Sequence, residues 1–81
     1  MNSLGDFQAF GTASGTDTSI RLDEITLVGA PDVIRALGVF LINSAYEMEQ
    51  NGVEHVHLQD AIANFSYDQH ADLIPHTPAR S

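Results

Sequence analysis

Between residues 31 and 51 an unbroken amphipathic pattern decides most of what this chain can become. Gly29-Ala30-Pro31-Asp32 opens it with a turn, a proline suited to the first helical position and an acid beside the positive end of the helix dipole. Asn51-Gly52 closes it with the left-handed stop that glycine favours. Between these signals Val33, Ile34, Leu37, Phe40, Leu41, Ser44, Ala45 and Met48 recur at spacings of three and four, which predicts a helix over 31–51 with one apolar stripe as its core face. A second row, Val39, Ile42 and Tyr46, runs off that stripe and is too apolar for a face meant only for water. It is read either as a wetted flank or as a contact with a second copy or a partner.

The flanking segments read as β. Ile20, Leu22 and then Ile25, Leu27 alternate in two phases, which predicts a strand with a bulge at Asp23-Glu24. Phe7–Thr12 and the turn-like Ser14-Gly15-Thr16-Asp17 place a first strand and hairpin before it. Val53–Leu58 alternates strictly, with Val56 and Leu58 on one face and His55 and His57 on the other. A strand, a helix and a strand imply a right-handed crossover that sets the third strand parallel to the second. Ala71–His76 offers a short last strand that Pro75 confines to an edge, and 59–69 reads as a packed loop. The expected fold is therefore α+β: a small mixed sheet in the order β-β-α-β, with a short edge strand at the C-terminus, covered on one face by one long helix. Its core is expected from Leu22, Ile25 or Leu27, Val33, Ile34, Leu37, Phe40, Leu41, Ala45, Met48, Val56 and Leu58. Residues 1–81 form one domain, with 1–5 and 77–81 expected to be disordered.

Composition narrows the functional classes. The 81 residues carry 11 acids against three arginines, a formal charge of −8, with no lysine and no cysteine. Phosphate backbones and anionic membrane surfaces call for clustered cations, so the expected partner is neither nucleic acid nor membrane but a basic protein. Without cysteine there is no disulfide, thiol chemistry or thiolate metal site. The longest apolar run, Val39–Ile42, is far short of a membrane span and Met1–Asp6 carries no basic leader, so the expected compartment is the cytoplasm.

His55-Val56-His57 is the sharpest chemical candidate, because residues two apart on a strand share a side and two imidazoles can begin a metal site. A third ligand from His70, His76, Asp60 or Asp68 would be needed, so His55 and His57 are weak metal candidates and no cofactor is expected. Glu47 and Glu49 stand in the last helical turn, where acids oppose the dipole at about 0.3–1 kcal/mol each. With Glu54 they suggest an acidic corner for a basic partner, and Glu47, Glu49, Glu54, His55 and His57 are the expected partner-binding residues. No nucleophile elbow is present, and Gly11–Thr16 resembles a phosphate loop in composition only, without its lysine. Asp23 and Glu24 point to opposite faces of a strand. Asn64-Phe65-Ser66 matches a glycosylation sequon without a secretory signal. These absences favour a binding module over an enzyme.

The segments Ile25–Pro31, Val33–Leu41, His55-Val56-His57-Leu58 and Ala71–Ile74 together resemble the immunity protein 32 family of bacterial polymorphic toxin systems, over roughly residues 19–76. The resemblance implies an α+β protein without catalysis that binds and silences a cognate toxin. It carries over no binding residues, and the first 18 residues and Pro75 depart from it. A metal-binding protein built on the His-x-His strand and a structural homo-oligomer, such as a homodimer through Val39, Ile42 and Tyr46, are the competing classes.

Overall fold

The computed structural model describes residues 3–78. Its elements are β1 (Ala9–Gly11), β2 (Ile20–Leu22), α1 (Pro31–Asn51) and α2 (Leu58–Ala61), an α+β arrangement of a two-stranded antiparallel sheet and one long helix. β1 and β2 pair with Ala9 opposite Leu22, Phe10 opposite Arg21 and Gly11 opposite Ile20. The intervening loop turns where Thr16 N–H donates to the Ala13 carbonyl at 3.0 Å, with Gly15 at φ 81°. That left-handed value at the third position of the turn is one glycine adopts without strain.

α1 covers the residues its pattern predicts. The Ala30 carbonyl accepts the first helical hydrogen bond from Ile34 N–H at 3.0 Å, and Pro31 occupies the first turn, where its missing N–H costs nothing. Gly52 ends the helix at φ 68°.

Beyond Gly52 the chain departs from the expected mixed sheet. Residues 54–57 run extended and, with Leu58 at the start of α2, pair antiparallel with 73–77: Val56 N–H donates to Pro75, Leu58 N–H to Leu73 and Thr77 N–H to Glu54, at 3.2, 3.0 and 2.7 Å. His55 and His76 face each other across this pairing. It is neither parallel to β2 nor joined to it, and the sheet remains two-stranded. Loop entropy favours this outcome, because 73–77 lies close along the chain whereas β2 is separated by the whole of α1. Pro75 takes part through its carbonyl alone, the role open to a residue without an N–H.

The bulged strand is also shorter than expected. β2 stops at Leu22, and Ile25 and Leu27 stand half in water at 52% and 51% exposure. β1 ends the pairing at Ala9, so residues beyond Leu22 have no ladder partner. The hairpin does not pack closely on α1, and the helix lines a groove with residues 56–62.

The core is correspondingly small. Leu58 is the buried hydrophobic residue and Ser44 the buried polar one, its hydroxyl donating back to the Phe40 carbonyl at 2.8 Å. Leu22, Leu37, Phe40, Met48 and Val56 are half-buried, while Val33, Ile34, Leu41 and Ala45, expected inside, are exposed. With the sheet elsewhere, only the part of the stripe facing the arm is covered. Of the terminal residues expected to be disordered, 1–2 and 79–81 lie outside the described residues, whereas Thr77 is held by its bond to Glu54.

Two substitutions test this account in urea titrations. Leu58→Ala should cost about 2–4 kcal/mol through the cavity it leaves. Gly52→Ala should cost about 1 kcal/mol, because alanine resists the left-handed helix stop. A Leu58→Ala midpoint equal to that of the parent chain would contradict the placement of the core.

Candidate functional site

The covered side of α1 does not close completely. An open groove of about 490 Å³ remains between the helix and the segment that follows it. Val33, Ala36, Leu37, Val39 and Phe40 form one wall, and Val56, Leu58, Ala61 and Ile62 form the other. The apolar walls come from the two patterns read in the sequence, a helical spacing of three and four facing an alternation of two. Asp32 stands at one end of the helical wall and Glu47 at the other, some 22 Å apart along the axis. Asn43 and His70 add polar atoms to the lining. A channel with an apolar floor and a carboxylate at each end suits apolar side chains flanked by cations.

The far wall is held by a second constellation. His57 Nδ1 and Asp72 Oδ2 lie 2.7 Å apart, and the other carboxylate oxygen of Asp72 accepts Gln59 N–H at 2.9 Å. One carboxylate thus ties the arm to the first turn of α2. The His57 ring meets that of His55 edge-on with centroids 5.5 Å apart, and His55 lies 6.0 Å from His76. Behind α2 the loop is packed by its own side chains: Phe65 meets Tyr67 edge-on at 4.9 Å and stacks on His70 at 5.7 Å. Ser66 N–H donates to His70 Nδ1, and Tyr67 Oη donates to Gln59 Oε1.

The expected partner-binding residues divide between these features. Glu47 lines the groove and accepts a hydrogen bond from the Asn51 side chain one turn on. Glu49 is two residues further along a helix that turns about 100° per residue, so it projects from the opposite side and shares no corner with Glu47. Glu54 is exposed on the arm, its backbone carbonyl engaged by Thr77. His55 and His57 do stand together, as their spacing requires. Of the residues considered as further ligands, His76 comes beside His55, while His70 is turned into its own loop and the groove lining. Among the described residues no group of three or more His, Asp or Glu side chains is placed to hold a metal ion.

Two site residues were missed in the sequence. Asp72 looked like part of a closing strand, and nothing in its spacing announced a bond to a histidine 15 residues earlier. Asp32 was read only as a helix-dipole acid, yet its place on the α1 pattern, in the same sector as Val33 and Ala36, was legible as one end of the apolar stripe.

No family model, no curated protein and no solved structure matches this chain. Among the described residues no helix is long and apolar enough to cross a membrane.

The Asp72 clasp can be tested directly. Asp72→Ala removes the acceptor of both His57 and the Gln59 amide and should destabilise the fold by about 1–3 kcal/mol. Hydrogen exchange should accelerate at the Val56 and Leu58 amides and remain unchanged in the middle of α1. Unchanged protection at Leu58 would show that the clasp does not hold the arm.

Proposed function

We infer that this chain is a binding module rather than an enzyme, and that it inhibits a basic protein toxin by direct contact. The observation that carries this reading is the groove beside α1, apolar along its floor and ended by Asp32 and Glu47. Apolar contacts there supply affinity, and the carboxylates select a partner bearing cations on either side of its apolar residues. The formal charge of −8 supports the same reading, since it attracts a cationic partner before contact and repels nucleic acid and anionic membrane. The resemblance of Ile25–Pro31, Val33–Leu41 and His55–Leu58 to immunity protein 32 sequences supplies the biological class, a protein that silences a toxin made by the same cell or its kin. Glu54 and His55 are exposed and His57 is half-buried beside Asp72, and in this reading they supply polar groups at the margin of such a contact.

The test is the association rate between this chain and a cationic toxin domain encoded beside it, together with rescue of growth when the two are co-expressed. Replacing Asp32 and Glu47 together by lysine should slow association at least about tenfold at low ionic strength and much less at high salt. Ala36→Trp, which fills the groove from an exposed position, should abolish rescue while helix content by circular dichroism stays constant. Unaltered association by both variants would remove the groove from the mechanism.

A further inference from the structure

The folded chain exposes more surface than a monomer of its size should. Its accessible area is 7120 Å² for 8.8 kDa, roughly 2,300 Å² above the ~4,800 Å² expected of a self-contained monomer. A standard protein interface takes about 800 Å² from each partner, so the surplus is ample for one. Part of the exposed apolar surface lies on the side of α1 turned away from the groove. There Tyr46 is 62% exposed and Ile42 71%, whereas Val39 turns to the edge of the groove.

The order of residues along this flank is self-complementary. Ile42 stands midway between Arg35 and Glu49, seven residues from each, so the two charges lie two turns either side of it on one seam. Four residues before Ile42 is Gly38, and four residues after it is Tyr46. The geometry points to a second copy of this chain as the occupant, with the two α1 helices antiparallel about a two-fold axis at Ile42. In that register Ile42 meets its own counterpart, Arg35 faces Glu49 of the other copy, and the Tyr46 ring lies over the other copy's Gly38. A parallel pair would instead set arginine against arginine and glutamate against glutamate.

Two further observations favour this occupant. A Cβ at Gly38 would meet nothing within 4 Å, so packing inside the chain does not require a glycine there. An interior glycine weakens a helix relative to alanine, and close approach by a bulky side chain of another molecule gives it a use. Among the described residues neither Arg35 nor Glu49 forms a salt bridge within the chain, which leaves both free for contacts between copies. Their charges cancel along the seam, so the high negative charge of the chain does not set this flank against itself. The inference is independent of the toxin reading, which uses the opposite side of α1.

Sedimentation equilibrium on the full chain decides it. The parent protein should have the mass of two chains at micromolar concentrations and above, and Ile42→Asp, which sets two carboxylates together on the axis, should have the mass of one. Arg35→Glu and Glu49→Arg should each weaken the dimer about tenfold. Combined in one chain they should restore it, which neither a loss of folding nor a different interface would do. A parent protein that stays monomeric, a dimer that survives Ile42→Asp with its helix content intact, or a double exchange that fails to restore association would each overturn the proposal.

Discussion

The covered side of α1 depends on the antiparallel pairing of 54–58 with 73–77. Three backbone hydrogen bonds and the His57–Asp72 clasp hold the C-terminal arm in place. The arm presents Val56 and Leu58 to the helix, and these residues complete both the core around Leu58 and the far wall of the groove. The groove wall that faces α1 therefore rests on that pairing. A clasp made by one carboxylate is economical, because each oxygen of Asp72 satisfies a different partner.

α1 consequently has two sides with different fates. It is about 32 Å long, in a molecule whose longest extent is 36 Å and whose radius of gyration, 13.7 Å, exceeds the ~12 Å expected for 81 residues. One side faces the arm across a groove with acidic ends. The other is an apolar seam bounded by Arg35 and Glu49. The helix is apolar beyond the single stripe that the chain covers, and the two proposed contacts use separate sides of it.

Local features were the most legible in the sequence. Pro31 and Gly52 bounded α1 because their backbone preferences act without help from distant residues. The hairpin was visible from Phe7–Thr12 and the Ser14-Gly15 turn, and the shared side of His55 and His57 followed from the two-residue period of an extended chain. The extent of β2 was not legible. Ile25 and Leu27 have the alternation of a strand, yet a strand exists only where a partner reaches it, and β1 begins only at Ala9, opposite Leu22. For the same reason the parallel crossover expected from the order β-α-β did not form: 53–58 found a nearer partner in 73–77.

What the sequence by itself determined is therefore the set of elements and their chemistry: one capped helix with apolar residues on more than one side, four segments able to be extended, and a strongly acidic surface. These follow from the backbone preferences of proline and glycine, from periodicity and from charge, all of which act over a few residues or are simple sums. The tertiary structure alone decided which extended segments pair, that Asp72 reaches His57, that Glu47 and Glu49 part company around the helix, and that Asp32 and Glu47 end a groove. Those outcomes rest on competition between contacts far apart in the chain, settled by loop entropy and by which partner first satisfies the backbone, and no local pattern encodes the winner.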